Sequence, residues 1–415
     1  MPPPKPITLD GRTGEGGGQL VRLAVSLSSV TGIPIRITNV RGNRPGKRGG
    51  GLKAQHVASL SYLASATDAV VSGLAVGSQT LDFAPRRRPW EIRDRKIRIV
   101  AETAAASTLL VFQAVLPFLL FAGGTEVVEL EIVGGTNVSF SLSYEYADQV
   151  LLPALEERFG VVVERRLGRR GWSAGRVEEG EVWFGIRPLG VGETLRVREE
   201  WREREYGEED FKVISVDVTI LAPEDMHAEF QTTLVRDLEV VFPDAEVVFK
   251  VVEDTIHDSR VYVLCVAKSN TLRWGRDCLT AVGKRGRKAD VVTAVSRRVC
   301  KELSGEVQSR GTVDEYLQDQ LVVFQALAEG RSSFPRTGVR PDSEDGLKEA
   351  VAELVIDERM RKDKTVVPFG EGSMHTTTAR WVTGELLDRV EWYNKGKVCR
   401  GVGMRVEEDL VSTVH

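Results

Sequence analysis

The sequence predicts an α/β protein of the mixed, α+β kind, built from repeated units with a smaller α/β domain inserted among them. Three observations point there. The chain has 415 residues, 42% of them hydrophobic, more than one core of roughly 250 to 300 residues accommodates, so two or more lobes are expected. Strand-like alternation and helix-like periodicity succeed each other in a steady rhythm, which suggests two or more α/β units of roughly 70 to 90 residues, each a sheet with helices on one face. From about Pro188 to Leu272 the texture changes, and a charged stretch, Arg196 to Asp210, introduces a separate small domain.

In chain order, the first notable segment is Leu9-Asp10-Gly11-Arg12-Thr13-Gly14-Glu15-Gly16-Gly17-Gly18-Gln19-Leu20-Val21-Arg22, running into an apolar helix from Leu20 to Thr31. Glycines ahead of a helix let the backbone approach an anion, and the helix N-terminus supplies unpaired N–H groups. The loop has neither the Walker lysine nor the Rossmann spacing. Glu15 is out of place for pure anion binding and points to a metal or a base. Ile33 to Val40 alternates like a strand. The following Arg41-Gly42-Asn43-Arg44-Pro45-Gly46-Lys47-Arg48-Gly49-Gly50-Gly51-Leu52-Lys53 sets five cations among glycines, where arginines can grip phosphate bidentately. Gln55-His56 opens a helical run, Val57 to Ala66.

The rhythm continues through Ile97 to Val100, a helix over Ala104 to Phe121 that carries Gln113, a strand from Val127, and Gly134-Gly135-Thr136-Asn137. A helix over Tyr144 to Phe159 and a strand from Gly160 to Arg165 follow. The inserted stretch reads as strand Lys212 to Leu221, helix Pro223 to Val241, and strands Ala245 to Val252 and Ser259 to Lys268. Gly283-Lys284-Arg285-Gly286 and an amphipathic helix, Ala289 to Ser304, lead to Thr312-Val313-Asp314-Glu315-Tyr316-Leu317-Gln318-Asp319-Gln320. On a helix Tyr316, Asp319 and Gln320 share a face suited to hydrogen-bonding a nucleotide. The domain boundaries expected are 7–187, 188–272 and 273–405, with a polar surface excursion at 338–371 that contains one helix, Ser343 to Lys362, carrying a narrow apolar stripe.

Composition excludes several classes. A net charge of -4 is not that of a polycation coating nucleic acid, so any nucleic-acid contact must be a local patch. The N-terminus lacks an apolar leader, and Thr108 to Ala122 is broken by Gln113 and Pro117, so neither signal peptide nor membrane span is expected. Cys265, Cys278, Cys300 and Cys399 have no zinc spacing and fit a reducing compartment.

The chemistry centres on Gly370-Glu371-Gly372-Ser373-Met374-His375-Thr376-Thr377-Thr378-Ala379, a glycine-bracketed turn before a helical run expected over Ala379 to Val390. His375 is the candidate nucleophile, because an imidazole keeps a lone pair available for phosphorus at neutral pH.

Taken together, the segments Leu9 to Arg22, Arg41 to His56, Gly134 to Asn137, Gly283 to Gly286, Thr312 to Gln320 and His375 to Ala379 resemble, in order and spacing, the RNA 3′-terminal phosphate cyclase family. The resemblance covers about residues 7 to 405. It implies three repeated units of two helices on a four-stranded sheet plus the insertion. It also implies a reaction in which a histidine attacks the α-phosphorus of ATP with help from a divalent metal, Mg or Mn, and passes AMP to an RNA 3′-phosphate, after which the 2′-hydroxyl closes a 2′,3′-cyclic phosphate. By that resemblance His375 is the nucleophile and Glu15 the metal-associated acid. Arg22, Arg41, Arg44, Gln55 and His56 line the phosphate and RNA end; Gln113, Tyr316, Asp319 and Gln320 bind ATP. RNA with a 3′-terminal phosphate and ATP are the implied partners, with no membrane, and nuclear residence is implied by the family alone. Lys53 stands where the family has arginine, Leu142 and Tyr144 replace a proline-containing stretch, and two acids enter the loop Gly171 to Val182. The alternative is a cyclase-like scaffold of ribosome assembly, but such relatives lack the nucleophile that His375 supplies here.

Overall fold

The computed structural model describes residues 5–44, 49–101, 103, 106–202, 204–283, 286–336 and 363–407. The apolar-striped helix read at Ser343 to Lys362, and with it the excursion as far as residue 362, lies outside the described residues, as do residues 45–48 of the basic loop and Lys284 and Arg285.

The first unit runs β1 (Ile7–Asp10), α1 (Gly18–Thr31), β2 (Ile35–Thr38), α2 (Ala54–Ala66), β3 (Val70–Ser72), β4 (Leu81–Ala84). Its sheet order is β1-β2-β4-β3, with β1 and β2 parallel and the other pairings antiparallel. Two-residue alternation sends Ile35 and Ile37 into the core while Arg36 stays outside and bonds Asp82 at 2.6 Å. The second unit repeats the plan: β5 (Lys96–Val100), α3 (Thr108–Leu120), β6 (Val128–Gly134), then α4 (Tyr144–Tyr146) continuing through a π turn (Ala147–Leu151) into α5 (Leu152–Phe159), β7 (Val163–Arg169) and β8 (Gly180–Ile186). Its order, β5-β6-β8-β7, matches the first strand for strand. Helix α3 is apolar nearly all round because it is enclosed, packing on α1 and α2 as well as on its own sheet.

The chain next passes through an extended stretch around Leu195 and builds a third sheet from β9 (Ser215–Ala222), β10 (Glu246–Asp254), β11 (Arg260–Lys268) and β12 (Arg273–Ala281). The sheet order is β10-β9-β11-β12; α6 (His227–Val241) and α7 (Lys288–Gln308) pack on each other and against it. Residue 272 falls between β11 and β12 of this one sheet.

The last unit comprises α8 (Glu315–Leu327), β13 (Arg331–Ser333), α9 (Met374–Leu386), β14 (Glu391–Tyr393) and β15 (Val398–Arg400), in the order β13-β15-β14. In the other two units a first strand lies parallel to the second. Here Arg196 bridges in parallel to Glu329, just ahead of β13, so the stretch before the inserted sheet takes that first-strand position. The fold is thus three α/β units with an inserted α/β sheet, the third unit showing, among the described residues, three strands and a bridge instead of four full strands.

Helices α1, α3, α8 and α9 pack on one another, so the units meet through their helices. At the junction with the inserted sheet, buried Asp314 caps α8. It accepts from Tyr146 at 2.5 Å and from the Gly275 N–H at 2.8 Å.

Candidate active site

The site begins where β1 gives way to the glycine-rich loop. Helix α1 has Gly17 as its N-cap, with no side chain bonded to its first turn and no acid there, so its leading N–H groups face outward for an anion. Gly14 adopts φ +66° with its α-carbon against the Thr378 hydroxyl, where a β-carbon would collide. This close approach lets the Glu15 N–H donate to Thr378 Oγ1 at 3.1 Å. It brings the Glu15 carboxylate, 9% exposed, within 3.7 Å of His375 Nε2. Arg44 reaches over from the next loop to pair with the same carboxylate.

His375 is not ahead of a helix starting at Ala379, as its sequence neighbours imply. Helix α9 begins at Met374, and Ser373 caps it by accepting the Thr376 N–H at 3.1 Å. Three β-branched threonines weaken the local helix preference, and the serine cap with tertiary packing overrides it. The imidazole therefore stands in the first turn, half exposed, at the positive end of the helix dipole. The same turn meets Gln318 of α8, whose Oε1 accepts from Thr376 at 3.4 Å and whose Nε2 donates to Phe334 O at 3.4 Å.

A third helix N-terminus enters from α2. The Lys53 N–H donates to His56 Nδ1 at 3.0 Å, which leaves the ring proton on Nε2. His56 is 1% exposed, its Nε2 has no hydrogen-bond partner among the described residues, and that nitrogen abuts Gly18. Burial first, then the charges of Arg22, Arg41 and Lys53, push its pKa well below the usual range, so His56 is a neutral donor at physiological pH. Arg22 Nη1 lies 2.9 Å from where a Gly18 β-carbon would be. Burial lowers the Arg22 pKa to about 10. Arg41 donates to Gly51 O at 3.1 Å and is likewise lowered by burial. Gln55 is the second residue of α2, beside His56.

Asp319 of α8 closes the cluster. It accepts from Gln19 Nε2 at 2.7 Å and from Gln320 Nε2 at 3.1 Å. Burial raises its pKa to about 6, opposed by the charges of His375 and Arg22. Tyr316, one turn earlier, packs instead under the Arg276 guanidinium, 4.3 Å from its ring centre, and edge-on to Tyr146 at 6.1 Å. Gln113 is half-buried on α3, and its side chain makes no hydrogen bond to a described residue. Sequence reading missed Gln19, Gln318, Ser373 and Thr378 as parts of this arrangement. Only the serine, three residues ahead of a threonine run, had a local signature, that of a helix cap.

The described residues contain no group of three or more His, Cys, Asp or Glu able to hold a metal, and no described helix is long and apolar enough to cross a membrane. The site offers two carboxylates, Glu15 and the Asp319 that Gln19 and Gln320 already hold, in a setting of cations and helix N-termini. Such a donor set suits Mg²⁺, which binds one or two carboxylates together with substrate phosphates.

The fold and this gathering of His375, Glu15, arginines and helix N-termini have the chemistry of a phosphate-handling protein. Residues 13–390 match the model of the family described as RNA 3′-terminal phosphate cyclase. The chain is 38% identical over 332 residues to the RNA 3′-terminal phosphate cyclase of Thermococcus onnurineus, covering 78% of this chain and 87% of that one. It is 33% identical over 386 residues to the protein of the same name from Methanosarcina barkeri, covering 92% and 95%, and 33% identical over 330 residues to that of Pyrococcus furiosus, covering 78% and 87%. The chain belongs to the RNA 3′-terminal phosphate cyclase family and is an enzyme. These relatives are archaeal, from cells without a nucleus, so they give no support to nuclear residence.

Proposed function

We propose that the chain converts an RNA 3′-terminal phosphate to a 2′,3′-cyclic phosphodiester at the expense of ATP, through AMP held covalently on His375. The observation that carries this reading is the half-exposed imidazole 3.7 Å from Glu15, at the start of one helix and beside the uncapped start of another. His375 Nε2 attacks the α-phosphorus, the P–N bond forms as the bond to the β-phosphate oxygen breaks, and pyrophosphate leaves. The AMP next passes to a 3′-phosphate oxygen of the RNA, regenerating the imidazole. The 2′-oxygen then bonds to that phosphorus and AMP departs.

Arg22, Arg41 and Arg44 offset the charge that builds on the phosphorus-bound oxygens, and neutral His56 contributes an Nε2–H donor without adding charge. Gln55 stands at the same helix start. Asp319 and Gln320 take the nucleotide side, to which the family resemblance also assigns Tyr316 and Gln113. Glu15, once Arg44 turns to substrate phosphate, would hold the divalent metal, which lowers the charge on the triphosphate when bound. The scaffold reading is not favoured, because nothing in a scaffold calls for a poised imidazole or for an unpaired buried donor at Gly18.

The direct test incubates a 3′-phosphorylated oligoribonucleotide with ATP and Mg²⁺ or Mn²⁺ and scores resistance of the end to phosphatase. Resistant ends that need ATP are expected, with the His375→Ala rate lower by at least about 10³-fold. Conversion without ATP, or at the wild-type rate in the variant, would overturn the reading.

A further inference from the structure

We propose that Gln19 is a positioning residue whose Oε1 accepts a hydrogen bond from the ribose 2′-hydroxyl of the RNA end and sets that oxygen beside the neighbouring phosphorus. The inference rests on the cyclisation proposed above and adds to it the element that reads the hydroxyl.

The groups gathered at Gly18 are donors. They comprise the first N–H groups of α1, the Arg22 guanidinium, and His56 Nε2–H, buried and without a partner among the described residues. Such a cradle fits a phosphate, which only accepts. Gln19 is the next residue of α1. Its Nε2 is committed to the Asp319 carboxylate at 2.7 Å, and that bond fixes which end of the amide is oxygen. The Oε1 is buried and has no hydrogen-bond partner among the described residues. A buried acceptor left unmet costs about 1–3 kcal/mol, so the position calls for a donor that phosphate cannot bring.

An RNA 3′-phosphate end carries a hydroxyl on the carbon next to the phosphate-bearing one. That vicinal pair matches what successive residues of α1 bring, a donor cradle at Gly18 and one amide acceptor on Gln19. The ribose hydroxyls of ATP are several bonds removed from its phosphates and do not reproduce it. In the ring-closing step the 2′-oxygen bonds to the 3′-phosphorus and the bond from phosphorus to the AMP oxygen breaks. AMP leaves with that electron pair and takes up the hydroxyl proton. Gln19 holds the oxygen in line for this step and neither gains nor loses a proton.

The test supplies preformed RNA carrying AMP on its 3′-phosphate, so that ring closure is followed without self-adenylation. Gln19→Leu should slow closure about tenfold, the value of one hydrogen bond to a hydroxyl. The same variant should lose far less in transferring AMP to a 2′-deoxy, 3′-phosphate end, which lacks the hydroxyl. The comparison also controls for folding, since a damaged site would slow both. An equal loss in the two reactions overturns the proposal. So does a Gln19→Leu defect in self-adenylation that disappears with ATP lacking its ribose hydroxyls, which would place Oε1 on the nucleotide. A wild-type chain that closes activated RNA but takes up no AMP would sink the histidine intermediate and leave the role of Gln19 standing.

Discussion

Asp319 and Gln19 illustrate how individual residues combine here. Their bond joins positions 300 apart in the chain, so no local pattern marks Gln19 as part of the site, whereas His375, Glu15 and Arg22 stand in recognisable glycine-rich or hydroxyl-rich company. Side chains whose chemistry is rare in such company were legible; amides whose role depends on a distant partner were not. Asp319 also makes a pH-dependent prediction. Its folded pKa, about 6, lies above the ordinary 3.8, so the folded state keeps a proton that the unfolded chain has already lost between those values. The associated stability is intact below the ordinary pKa and is lost as pH rises through about 6. Asp319→Asn removes the buried charge, so its urea midpoint should exceed that of the wild type at about pH 7.5 and converge with it near pH 4. An offset of the same size at both pH values would contradict this electrostatic account.

The decisive elements are the loop before α1 and the start of α9, which hold each other in place. The sequence shows that a turn precedes His375, yet it hides the first helical turn, because threonine propensity argues against the helix that Ser373 capping and Gln318 packing impose. The contact of Gly14 with Thr378 is equally invisible in the sequence, since glycines in such a loop look alike until the opposing helix is in view. Gly14→Ala must place a β-carbon at φ +66° and against the Thr378 hydroxyl. A loss of about 1–3 kcal/mol in unfolding free energy is expected from the backbone strain alone, with a further fall in activity as Glu15 moves from His375. Chemical denaturation checks the first expectation. A variant as stable as the wild type would mean that the loop does not depend on this approach.

At the level of the whole molecule, the repeating strand and helix rhythm was readable because two-residue and helical periodicities are local properties. The likeness of the first two units follows from it: β1-β2-β4-β3 and β5-β6-β8-β7 are one topology. The third unit was harder to read, since its first-strand position near Arg196 meets Glu329 across 133 residues of chain, with the inserted sheet between them. That interruption brings the Tyr146 and Gly275 bonds to Asp314, and so the second unit and the insertion, to the start of the helix carrying Asp319. The proposed function asks of these assembled units that His375 carry the nucleotide covalently. The measurement that tests it most directly is peptide mapping by tandem mass spectrometry after incubation with ATP and Mg²⁺, under conditions that preserve acid-labile phosphoramidates. The account predicts one AMP on the peptide containing His375 and none in His375→Ala. AMP on another residue, or an undiminished adduct in the variant, would contradict it.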